Sequence, residues 1–162
     1  MTQETALAVD LGDLLRAAGL RLATAESCTG GLIAAACTAL AGSSDWFERG
    51  FVTYSNDAKI ESLGVAPALI AAFGAVSAEV ARSMASGALA HSRADLAVAV
   101  TGIAGPGGAT PTKPVGTVWV ALARRGGAVE ARLLSLQGDR GAVRAQTVEV
   151  ALTWLTEVLR AD

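Results

Sequence analysis

The chain has 162 residues, 52% of them hydrophobic and 17% charged, with a formal net charge of −2. That length and apolar content suit one domain over residues 1–162 with a full core, and the lack of a basic surplus argues against nucleic acid as a partner. Met1-Thr2-Gln3-Glu4-Thr5 lacks the basic start of a signal peptide, and the longest apolar stretch, Leu32 to Ala41 with Thr38 inside it, is too short to span a bilayer; a soluble cytoplasmic protein with no membrane partner is expected.

In chain order, Leu7 to Ala18 has helical apolar spacing and stops at Gly19. Arg21 to Ala25 reads as a short buried strand, and Gly30-Gly31 followed by Leu32 to Ala36 as the opening of an apolar helix. Ser43 or Ser44 suits the cap of a short turn carrying Trp46 and Phe47, and Gly50 to Ser55 reads as a strand. Three helical pieces follow: Asp57 to Leu63, Pro67 to Phe73 with proline at its start, and Ser77 to Ala90, where Ser77 and Glu79 suit a helix beginning. Leu96 to Val100 has the near-continuous apolar character of a strand buried on both faces. Val115 to Ala123 and Ala128 to Leu136 predict a hairpin across Arg124-Arg125-Gly126-Gly127, and Arg140 to Arg160 a long amphipathic helix. That order implies an α/β fold with helices on both faces of a mixed sheet.

Chemistry concentrates at Ala25-Glu26-Ser27-Cys28-Thr29-Gly30-Gly31, where a strand hands over to a helix. N–H groups at such a junction can stabilise an oxyanion, and a serine beside them can attack a carbonyl; alternatively, Ser27 or Thr29 simply caps the helix. The chain has one histidine, His91, in a helix-end context that suits a structural role, and two lysines, Lys59 and Lys113. A base for Ser27 is therefore expected to be a lysine kept neutral by burial, either Lys59 or Lys113. Cys28 and Cys37, the only thiols, make no zinc set with a single histidine and are expected to be reduced and at least partly buried.

Thr101-Gly102-Ile103-Ala104-Gly105-Pro106-Gly107-Gly108 follows a buried strand, where open α/β sheets form ligand sites. Its spacing matches neither the dinucleotide fingerprint nor the phosphate loop, but its length inside a compact domain points to a function. Arg140 and Arg144 lie four apart at a helix start, against the helix dipole, so they either hold a phosphate between them or are solvated or paired with acidic side chains.

Together with Val52-Thr53-Tyr54-Ser55-Asn56 and Lys59, Gly74-Ala75-Val76-Ser77, Lys113-Pro114-Val115-Gly116-Thr117-Val118-Trp119 and Gly138-Asp139-Arg140 with Arg144, these segments resemble, over nearly the whole chain, the CinA C-terminal domain family of nicotinamide-nucleotide amidases. The resemblance implies a three-layer α/β/α fold with a mixed central sheet and hydrolysis of the carboxamide of nicotinamide mononucleotide to nicotinate mononucleotide and ammonia, with no cofactor and no metal. It implies Ser27 as nucleophile, Lys59 as general base and Tyr54 as a helper in the proton path. The substrate contacts expected around them are Thr29, Gly30, Gly31, Asn56, Thr101, Gly102, Ala104, Gly105, Arg140 and Arg144. Many family members carry a larger N-terminal domain resembling molybdopterin-binding proteins; its activity is expected to be absent here. The expected partners are a small pyridine nucleotide and further copies of the chain. A non-catalytic pyridine-nucleotide-binding or regulatory module is the second reading, and an assembly unit using Trp119, Trp154 and the alanine-rich helices the third.

Overall fold

The strands alternate large and small side chains, and that alternation decides how the layers stack. The computed structural model describes residues 1–162 as α1 (Gln3–Ala18), β1 (Leu22–Glu26), α2 (Leu32–Thr38), a 3-10 turn (Ser43–Asp45), β2 (Phe47–Val52), α3 (Asn56–Leu63), α4 (Pro67–Phe73), α5 (Ala78–Ala90), β3 (Leu96–Gly102), β4 (Thr117–Arg124), β5 (Val129–Ser135) and α6 (Arg140–Arg160). The strands form one sheet in the order β2-β1-β3-β4-β5, parallel from β2 to β3 and antiparallel from β3 to β5.

On one face, Leu22, Leu96, Val98, Val100, Val118, Val120 and Leu122 pack in a single cluster with Leu11 and Leu15 of α1, Ile33 of α2 and Val143, Leu152 and Leu155 of α6. On the other, the ladder registers align Ala23, Ala97 and Ala123 in one row across β1, β3 and β4, and Ala25, Ala99 and Ala121 in a second. Methyl-only rows let a helix lie close to the sheet, and α5 supplies Ala81, Ala85 and Ala88 together with Val80 and Met84 against them. The result is the expected α/β fold, a three-layer α/β/α sandwich with a mixed central sheet.

Local signals set the helix ends. The side chains of Thr2, Ser55, Ser77 and Asp139 accept the N-cap hydrogen bonds of α1, α3, α5 and α6. The first helix thus begins at Gln3 rather than Leu7, because Thr2 caps it. β2 runs over Phe47–Val52 instead of the expected Gly50–Ser55, because Ser55 already caps α3 and the chain must leave the sheet before it. The expected hairpin and the Pro67–Phe73 and Arg140–Arg160 helices appear as read. No helix is long and apolar enough to cross a membrane.

Candidate active site

Three loops meet at the carboxyl ends of the parallel strands: Ser27 follows β1, Thr53 and Tyr54 follow β2, and Ile103 to Gly105 follow β3. Ser27 continues the alternation of Ala23 and Ala25 and faces the α5 side, where α3 packs. The Ser55 cap starts α3 so that Lys59 lies on its first turn, with only 2% of its surface exposed. Lys59 Nζ lies 3.1 Å from Ser27 Oγ and donates to Thr53 O at 3.1 Å. No acid faces Lys59 at ion-pair distance, and burial holds its amine below the ordinary lysine value of 10.5. An amine whose charged form burial disfavours, set beside a buried hydroxyl, is the arrangement required of a base and its nucleophile.

Cys28 points to the opposite face. Its thiol joins the large-residue core, and burial pushes it up to about 11, so it is protonated at neutral pH and a poor nucleophile. Cys37 is likewise free and buried. His91 caps the end of α5, with Nδ1 2.8 Å from Gly87 O.

The turn after Ser27 differs from the expectation of open helix N–H groups. Glu26, fully buried, accepts from Thr29 Oγ1 at 2.6 Å, Ile33 N at 2.8 Å and Ala34 N at 3.0 Å, so its carboxylate fills the start of α2. Thr29 therefore turns its hydroxyl inward, away from any substrate, and Gly30 N is taken by Ser27 O at 3.0 Å. The N–H groups of Cys28, Thr29 and Gly31 donate to no atom of the protein. Glu26 escaped the sequence reading, although a lone acid in an otherwise apolar strand was its signal, since a buried carboxylate requires donors.

Ser27, Cys28, Tyr54, Gly102, Ala104, Gly105 and Arg140 line one cleft of about 190 Å³, together with Ile103, Gly107 and Gly108 of the same glycine-rich loop. Tyr54 stands at its mouth, 60% exposed; its hydroxyl accepts from the Arg140 guanidinium and bonds neither Ser27 nor Lys59. Arg140 also donates to Gly105 O at 3.0 Å. Four further residues lie outside this lining. Asn56 is an exposed first residue of α3, and Thr101 is buried with its hydroxyl donated to Ala75 O at 2.9 Å. Lys113 donates to Phe73 O at 2.9 Å, tying the glycine-rich loop to the end of α4. Arg144, half-buried, donates to Cys28 O at 3.1 Å and Thr29 O at 3.2 Å. Nowhere do three His, Cys, Asp or Glu side chains converge as metal ligands.

Residues 4–159 match the family model described as the CinA C-terminal domain. The chain is 52% identical over 149 residues to the nicotinamide-nucleotide amidohydrolase PncC of Escherichia coli (strain K12), covering 92% of this chain and 90% of that one. It is 59% identical over 146 residues to a CinA-like protein of Geobacter sp. (strain M21), but spans only 35% of that relative's length. Among solved structures, the competence/damage inducible protein CihA from Agrobacterium tumefaciens superposes with a TM-score of 0.94 at 48% identity, over 99% of this chain and 97% of that one.

Proposed function

The chain belongs to the CinA C-terminal domain family, and from that premise we propose that it is an amidase that deamidates nicotinamide mononucleotide to nicotinate mononucleotide and ammonia. The observation that carries this reading is the buried Ser27–Lys59 pair, 3.1 Å apart, with Ser27 in the lining of a cleft and Lys59 behind it. The full-length similarity to a nicotinamide-nucleotide amidohydrolase supplies the substrate class. A module that only bound nucleotide would have no use for a lysine buried without a counter-charge, which is costly to keep.

In the proposed mechanism, Lys59 accepts the Ser27 hydroxyl proton as Oγ attacks the carboxamide carbon. The resulting ammonium remains held by Thr53 O. The unpaired N–H of Cys28, a residue of the cleft lining, receives the oxyanion, in place of the Gly30 N–H that the turn itself uses. Lys59 then returns the proton to the departing nitrogen, and ammonia leaves a nicotinoyl ester on Ser27. Water, deprotonated by Lys59, attacks that ester and frees nicotinate mononucleotide. At the mouth of the cleft, Arg140 has guanidinium N–H groups to spare after its bonds to Gly105 O and Tyr54, and these bind the phosphate. Tyr54 orients Arg140 in this scheme, and the proton moves directly between Ser27 and Lys59.

Ammonia release from nicotinamide, its riboside, its mononucleotide and the dinucleotide is the test. The mononucleotide is expected to be turned over fastest, and Ser27→Ala is expected to lower that rate by about a thousandfold or more. Ammonia release at the wild-type rate by Ser27→Ala would remove the mechanism.

A further inference from the structure

Arg144 grips the nucleophile turn from behind. Its Nε and one terminal nitrogen donate to the carbonyls of Cys28 and Thr29, two consecutive peptide units, from the first turns of α6. Across a trans peptide, the carbonyl of one residue and the N–H of the next point in opposite directions. Drawing Cys28 O toward α6 therefore turns the Thr29 N–H away from it, and drawing Thr29 O the same way turns the Gly30 N–H toward Ser27 O, where it is found. A positive charge on the carbonyl end also polarises each unit, making its N–H a stronger donor.

Glu26 completes the frame by taking the N–H groups of Ile33 and Ala34, which fixes the far end of the turn. Gly30 suits this packing: it has φ 57°, and a Cβ there would stand 3.4 Å from the Arg144 guanidinium. Arg140, one helical turn away, makes the contrasting choice and lines the cleft.

We propose that Arg144 is a positioning residue that, through the Gly30 N–H it aims at Ser27 O, orients the Ser27–Cys28 peptide so that the Cys28 N–H is the oxyanion donor, and that it does not bind the substrate phosphate. The proposal rests on Ser27 being the nucleophile, so its test includes a reaction at Ser27 that needs no particular substrate.

Three quantities are measured in wild type, Arg144→Ala, Arg144→Lys and Arg140→Ala: kcat and KM for nicotinamide mononucleotide, inhibition by ribose 5-phosphate, and the rate at which a fluorophosphonate labels Ser27, read by mass spectrometry. Removing an oxyanion donor outright costs about 10²–10³ in kcat, and misplacing one is expected to cost about tenfold to a hundredfold. Arg144→Ala should show that loss in kcat and in labelling rate, with KM and ribose 5-phosphate inhibition near wild type. Arg144→Lys, which can still reach one carbonyl, should recover part of it, and this variant also carries the test if Arg144→Ala does not fold. Arg140→Ala should do the reverse, weakening ribose 5-phosphate by a larger factor than it slows labelling. Wild-type kcat in Arg144→Ala, or ribose 5-phosphate weakened as much as kcat is lowered, would overturn the proposal. Absence of Ser27 labelling in wild type would instead remove the nucleophile assignment on which it rests.

Discussion

At the scale of single residues, the site depends on a division between two neighbours. Ser27 faces Lys59, whereas the Cys28 thiol packs into the core and is pushed up to about 11 by burial. Cys28→Ala is therefore expected to keep ammonia release within a few-fold of wild type and to cost about 1 kcal/mol of stability in a denaturant titration; a loss of activity comparable to that of Ser27→Ala would make the thiol the nucleophile. Lys59→Arg keeps a cation but cannot supply a neutral base, so its turnover should fall as far as that of Lys59→Ala. In wild type the rate should climb with pH as Lys59 loses its proton, with the midpoint of the rise below 10.5 because burial lowers that group; a rate that falls across this range would remove Lys59 as the base. Scarcity of histidine and lysine made a lysine base legible in the sequence, but the choice between Lys59 and Lys113 needed either the family resemblance or the fold. Spacing alone showed that Arg140 and Arg144 share a helix face; it could not show that the nucleophile turn sits over one of them and the cleft beside the other.

At the scale of elements, the position of Lys59 is only as good as the seating of α3. That helix ends at Leu63, where the chain crosses α5 at Gly87 so closely that a Cβ on Gly87 would overlap the Leu63 carbonyl oxygen. Gly87→Ala should thus force α3 away from α5 instead of gaining helix propensity. It is expected to cost about 1–3 kcal/mol in a denaturant titration and to lower kcat, because the Lys59 amine moves with the helix; a variant as stable and active as wild type would show that α3 is not held there. From sequence alone Gly87 is just one glycine inside an alanine-rich helical pattern, and its close approach comes from a residue 24 positions earlier in the chain. The large-small alternation of β1, β3 and β4 was by contrast present in the residues, and it is what separates the α5 face from the α6 face. The start of α2 went unread for a similar reason to Gly87: its N–H groups looked open because their acceptor, Glu26, belongs to the preceding strand.

For the molecule as a whole, burial of titratable groups makes stability depend on alkaline pH in two opposed ways. Lys59 has a folded value below its unfolded 10.5, so the unfolded chain binds more protons between the two; its penalty is fully present below the folded value and is relieved as pH rises from there to 10.5. The thiols act in the other direction. Folded values of about 11 for Cys28 and about 12 for Cys37 lie above the unfolded 9.0, so the folded state retains protons that the unfolded state gives up, and stability falls from pH 9 upward. Cys37 lies on α2 in the core formed with α1 and α6 and has no part in the proposed chemistry, which makes it the cleaner probe. Each pH unit past 9.0 is worth about 1.4 kcal/mol for such a group, so two units, from pH 9 to pH 11, amount to about 2–3 kcal/mol. Cys37→Ala should therefore be less stable than wild type at pH 8, where both forms of the thiol are protonated and only its packing is lost, and should regain about 2–3 kcal/mol relative to wild type by pH 11. Urea titrations of both proteins at pH 8 and pH 11 measure that difference of differences. A stability gap that stays constant between the two pH values would mean that the Cys37 thiol reaches solvent and ionises in the folded protein, and that the face of the sheet packed against α1 and α6 is not the sealed core described here.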